Sequence, residues 1–137
     1  MGINKLNNKA LSLGNSGLPP QKDVAKKVNE IINYTNPITL VDASIVVWDM
    51  SKGCNARVTL NGTRTLVIQN AKPGDYGTLE IIQDDAGNRL LLLDSSNCKV
   101  AGGGGSLALT ATGGAIDITT LYFNGTTYYF VLATDFG

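Results

Sequence analysis

Ala56-Arg57-Val58-Thr59-Leu60-Asn61-Gly62-Thr63-Arg64-Thr65-Leu66-Val67-Ile68 is the stretch on which the fold turns. Apolar and polar residues alternate on both sides of Asn61-Gly62-Thr63, the period of a half-buried strand. The same triplet returns as Asn124-Gly125-Thr126, between Ile118-Thr119-Thr120-Leu121-Tyr122-Phe123 and Thr127-Tyr128-Tyr129-Phe130-Val131-Leu132. Asn-Gly readily takes the positive φ angles of a type I′ turn, so each triplet is expected to fold its flanking strands into a hairpin.

Outward from these two points the pattern stays strand, turn, strand. Strands are expected near 38–41, 44–50, 55–60, 64–69, 77–83, 88–93, 97–100, 106–111, 115–123 and 127–133. Ser51-Lys52-Gly53, Lys72-Pro73-Gly74-Asp75, Asp84-Asp85-Ala86-Gly87, Gly102 to Gly105 and Gly113-Gly114 punctuate them. Short strands at such spacing predict an all-β fold, an antiparallel β-sandwich or jelly-roll-like knob over 37–137, rather than a parallel sheet. Alternation turns Val58, Leu60, Leu66, Ile68, Leu79 and Ile81 inward. Leu90 to Leu93 is apolar on both faces, as in a central strand or one that covers a subunit contact.

Upstream the character changes. Residues 19–36 hold the one convincing helix, started by Pro19-Pro20 and stopped by Asn36-Pro37. Val24, Val28, Ile31 and Ile32 share a face, and Lys22, Lys26, Lys27, Asn29 and Glu30 cover the other. Val24, Val28 and Ile31 fit a heptad seam, and β-branched residues at both seam positions favour trimers. So short a helix needs packing, either on copies of itself or on its own β-domain. Residues 1–18 fit no period, yet carry Ile3, Leu6, Leu11, Leu13 and Leu18. They read as an extended anchoring arm that orders on a partner.

Charge follows this division. Residues 1–36 carry five lysines against Asp23 and Glu30, a net +3, and the remainder carries −3. Such a balance is too weak to argue for nucleic acid. No apolar run approaches a membrane span and no signal peptide is evident, so the chain is expected to fold in the cytoplasm of the cell that makes it. Cys54 and Cys98 are expected as reduced, partly buried thiols, with a single bridge as the alternative.

Catalytic chemistry finds little to work with. The chain has no histidine to activate a serine or cysteine. Asp84, Asp85 and Asn88 lack the later bidentate Glu of a calcium loop, and Gly102 to Gly105 is followed by no Lys-Ser/Thr of a phosphate loop. The expectation is therefore no enzyme, no metal and no cofactor. Aromatic residues matter more: Trp48, Tyr76, Tyr122, Tyr128 and Tyr129 are candidates for stacking on a sugar ring where exposed, with Trp48, Tyr76, Tyr128 and Tyr129 the expected glycan contacts. The alternative is that Trp48, Tyr122 and one of Tyr128 and Tyr129 fill the core.

One resemblance spans residues 37–137. Asp49-Met50-Ser51-Lys52-Gly53 precedes Val58-Thr59-Leu60-Asn61-Gly62-Thr63-Arg64-Thr65-Leu66. Then come Asn70-Ala71-Lys72-Pro73-Gly74-Asp75-Tyr76-Gly77-Thr78-Leu79 and Gln83-Asp84-Asp85-Ala86-Gly87. Gly114-Ala115-Ile116-Asp117-Ile118 and Tyr122-Phe123-Asn124-Gly125-Thr126-Thr127-Tyr128-Tyr129 close the series. This order resembles a β-domain of bacteriophage virion proteins, head-fibre and tail-fibre components above all. The helix around Val28-Asn29-Glu30-Ile31-Ile32 is similar to the short trimerising helices of such fibres. The resemblance implies a homotrimeric β-sandwich attached to the virion, with other capsid or tail proteins and a host-surface glycan as partners, and no catalytic residues. The brevity of the chain points to a head fibre or a small tail or baseplate component. A monomeric carbohydrate-binding or adhesin module of a bacterium is the rival expectation.

Overall fold

A computed structural model describes residues 21–94 and 96–137, with the side chains of 22 and 30–33 outside the description. Helix α1 spans Gln21–Asn33, with Asp23 in its first turn, where the helix dipole favours an acid. Val24 and Val28 stand 44% and 47% exposed along it. Of the expected seam, Ile31 and Ile32 have side chains outside the described residues. So do Ile3, Leu6, Leu11, Leu13 and Leu18 of the arm.

The β body runs from Tyr34 to Gly137. Its strands are β1 (Ile38–Thr39), β2 (Ile45–Asp49), β3 (Asn55–Leu60), β4 (Arg64–Gln69), β5 (Tyr76–Gln83), β6 (Leu91–Leu93), β7 (Cys98–Val100), β8 (Ser106–Leu107), β9 (Ile116–Phe123) and β10 (Tyr128–Ala133). The all-β expectation holds and each expected strand has a counterpart, those near 38–41, 88–93 and 106–111 being cut to two or three residues. The two sheets are mixed, however: a six-stranded sheet β1-β3-β5-β9-β10-β7 and a four-stranded sheet β2-β4-β6-β8.

The neighbours differ from the antiparallel arrangement read from the turns. Among the described residues, five of the eight strand pairings are parallel. From β1 to β8 the chain crosses to the opposite sheet after each strand. It winds in coils, laying β3 on β1, β5 on β3, β4 on β2 and β6 on β4, all parallel. Only β9 and β10 follow one another within a sheet, as an antiparallel hairpin.

Asn61-Gly62-Thr63 is therefore a corner between sheets and not a hairpin turn. Neither Asn61 nor Gly62 takes a left-handed φ. The backbone N–H of Asn61 donates to Asp42 Oδ2 of the preceding coil (3.2 Å), and the Arg64 guanidinium grips the same carboxylate at 2.7 and 3.0 Å. Asp84-Asp85-Ala86-Gly87 is a second corner, where Arg89 pairs with Asp84 (2.7 Å). At a third, Asp49 Oδ1 accepts from Ser51 Oγ (2.6 Å) and from Asn70 Nδ2 of the next coil (3.0 Å). Asn124-Gly125 does close a hairpin: Gly125 alone takes a left-handed φ (109°), and Asn124 Oδ1 accepts from the backbone of Thr126 and Thr127 at 2.9 and 2.8 Å.

The core lies between the sheets. Val46, Trp48, Val58, Leu60, Leu79, Ile81, Leu91, Leu121 and Phe130 are all buried in it, and each large side chain withdrawn from water contributes about 1.5–3 kcal/mol. Of the residues expected inward, only Ile68 is merely half-buried, packed against the rim of the core. The Trp48 indole N–H, which could not be left bare in such a place, donates to Gly53 O at 3.1 Å. Buried Gln83 binds Arg89 through both N–H and carbonyl (2.9 and 3.0 Å) and Thr110 O (2.9 Å), fastening the long loop to β5.

Candidate functional site: a tyrosine-lined groove

Strand alternation and register together build the site. In β5, β9 and β10 the residues Leu79, Leu121 and Phe130 face the core, so Tyr76, Tyr122 and Tyr129 face outward. Tyr76 pairs with Tyr122, and Tyr122 pairs with Tyr129. Three phenols thus stand in one row across three adjacent strands. Lys99 of β7, opposite Tyr129, ends the row.

All three rings remain in water's reach, Tyr76 at 74%, Tyr122 at 48% and Tyr129 at 44%. The rings of Tyr122 and Tyr129 are nearly parallel, 16° apart, with centroids 6.4 Å from one another. They wall a groove of about 450 Å³, shared with Thr35, Cys54, Asn55, Thr78, Thr120 and Val131. Its floor passes over Gly77, where a Cβ would collide with the Cys54 carbonyl oxygen and lie 3.1 Å from Trp48 Cζ2. Glycine lets β5 pass this close to the chain at Cys54, and its N-terminal end is bound there by Thr78 N–H to Cys54 O (3.0 Å).

The polar groups of the groove are orderly and neutral. Thr78 Oγ1 donates to Asn55 Oδ1 (2.6 Å), and Asn55 Nδ2 donates to Thr35 O (2.8 Å). Beneath this end, Tyr34 donates its hydroxyl to Met50 O at 3.1 Å. Burial, then the negative charge of Asp75, raises the Tyr34 phenol above its ordinary value, so it stays protonated across the physiological range.

The four candidate aromatics have separate fates. Tyr76 and Tyr129 join the row. Trp48 is fully buried and is no part of an exposed platform. Tyr128 is half-buried, stacked on Phe123 with centroids 4.3 Å apart, and points to the core side of β10. Tyr122 takes the central place instead. Its signal was in the sequence: in the β9–β10 hairpin Tyr122 falls opposite Tyr129, and two facing aromatics share a face.

A second outward surface is apolar. Ile45 and Val47 of β2, Val67 of β4 and Leu92 of β6 lie on the outer face of the four-stranded sheet. In the Leu90 to Leu93 run, Leu91 enters the core while Leu90 and Leu92 are exposed. Cys54 and Cys98 are not joined in a disulfide. No group of three or more metal-ligating side chains occurs among the described residues, and no helix there is long and apolar enough to cross a membrane.

Comparison with protein-family models, with curated proteins and with solved structures finds no match for this chain.

Proposed function

We propose that this chain is a structural protein of a bacteriophage virion. In this reading it is a short homotrimeric head fibre, or a small tail or baseplate component, whose β body is displayed for adhesion to the host surface. The observation that carries the binding role is the exposed row Tyr76–Tyr122–Tyr129 over a preformed groove. Exposed aromatics in a concave, mostly apolar setting are the usual makings of a ligand site. The virion placement draws on the order of motifs over 37–137, and the trimer on the β-branched face of α1, whose Val24 and Val28 are exposed.

In this reading the arm with Ile3, Leu6, Leu11, Leu13 and Leu18 anchors to other virion proteins. Three linked copies raise the effective concentration of weak contacts at both ends, so attachment lasts without any single tight site. The test is the solution mass of the full chain by chromatography with light scattering. A trimer at tens of micromolar supports the reading, and a clean monomer overturns it. The second reading, a monomeric carbohydrate-binding module, is favoured by one observation: the whole groove is built within a single copy.

A further inference from the structure

We propose that the groove takes an uncharged saccharide chain, laid across the strands along Tyr76, Tyr122 and Tyr129. The proposal rests on the reading of the β body as a binding surface and names the class of its ligand.

Periodicity is the first ground. The three tyrosines sit on adjacent hydrogen-bonded strands whose backbones lie about 4.8 Å apart, and the Tyr122 and Tyr129 rings fan out to 6.4 Å. Successive pyranose units of an extended chain can therefore lie along the row one after another. Each sugar ring has an apolar face of C–H groups, which a phenol covers, and a polar rim, which the phenol's hydroxyl end and water can meet. A compact apolar ligand would need a closed pocket, whereas this groove is open along the row.

Charge is the second ground. The groove is lined by Asn55, Thr78, Thr120 and the tyrosines, without a carboxylate or guanidinium. Two rows along the same face, past the row of Asn55, Thr78 and Thr120, Arg57 and Glu80 answer one another at 3.5 Å. Lys99 is the row's one charge, and it stands at its end. An acidic sugar would bring its carboxylate over the phenols with no fork of donors to receive it, a cost that a neutral sugar avoids.

Preorganisation is the third. Thr78, Asn55 and Thr35 are already hydrogen-bonded in a chain, so Asn55 is held in one orientation before any ligand arrives. Thr120, exposed between Thr78 and Val131 on the adjoining row, offers a further hydroxyl.

The experiment uses the full chain labelled with ¹⁵N and titrated with neutral hexasaccharides of the cello, malto and manno series, beside an oligogalacturonide as the acidic probe. At least one neutral probe is expected to shift the amides of Gly77, Thr120, Tyr122 and Tyr129. Tyr122→Ala is expected to weaken that binding about tenfold, and Tyr122→Phe, which keeps the ring, to leave most of it. Both variants change an exposed side chain, so an unaltered melting temperature separates loss of binding from loss of fold. The proposal is overturned if no neutral probe shifts the row, if Tyr122→Ala binds as well as the parent, or if the oligogalacturonide binds more tightly. Shifts of this row with protein concentration alone would make it a contact between copies and would equally overturn it. A trimer that adsorbs to cells yet fails these tests keeps the fibre reading and loses only the ligand.

Discussion

At Gly77 a single hydrogen atom separates two coils. Gly77→Ala sets a methyl group against the Cys54 carbonyl and the Trp48 ring, neither of which has room to retreat. Overpacking of this kind costs about 1–3 kcal/mol, and the expected result is a lower urea midpoint with an unchanged slope. Gln83 tests the opposite fault. Gln83→Ala strips partners from the backbone of Arg89 and Thr110 and is expected to cost about 2–3 kcal/mol, read the same way. Individual residues were legible in the sequence as inward or outward. Val58, Leu60, Leu66, Leu79 and Ile81 went where alternation put them. Trp48 and Tyr122 each stood as both platform candidate and core filler, and the structure buries the first and exposes the second, because an aromatic ring suits core and surface alike. Only its cross-strand neighbour tells which it will be.

Corners, not hairpins, hold the elements together. Asp42 is held below its ordinary value by its hydrogen bonds with Arg64, Asp84 by Arg89, and Asp49 by Ser51 and Asn70. Their folded values lie below their unfolded ones, so the stabilisation is complete above about pH 4 and is lost as pH falls through that point toward the lower folded values. Urea midpoints measured from neutral pH to about pH 2 should drop on this limb, and Asp42→Asn should make the drop shallower. At the true hairpin, Asn124→Ala removes the acceptor for two backbone N–H groups and is expected to cost about 1 kcal/mol by thermal melting. The sequence marked both Asn-Gly turns in the same way. What it could not mark is that β3 and β4 each find a better partner in another coil. Inward Val58 and Leu60 face Leu66 across the core as readily as they would sit beside it in one sheet. The pull of Asp42 on Asn61 and Arg64, about 20 residues away along the chain, has no local signature.

For the molecule as a whole, the decisive comparison is the mass of the full chain beside a version that begins at Tyr34. That residue belongs to the β body, where its carbonyl accepts from Cys54 N–H (3.2 Å) and its hydroxyl ties to Met50. A trimer that falls to monomer on truncation assigns assembly to the helix. A trimer in both assigns it to the body, with the outer face of Ile45, Val47, Val67 and Leu92 the first place to introduce a charge. The all-β character and the positions of the strands were legible along the chain, and the groove was half legible through Tyr76 and Tyr129. The winding was not, since period and turn chemistry report on a strand's faces and ends but never on its neighbour. That winding also sets a timetable. Asn55 must find Thr78 and Arg64 must find Leu91 before either pair gains anything, whereas Phe123 and Tyr128 meet across one short loop. Closing long loops ahead of their reward slows a chain, and refolding is expected in milliseconds to seconds. The β9–β10 hairpin would form early, so in stopped-flow measurements Tyr129→Ala should slow refolding more than substitutions in β1 do.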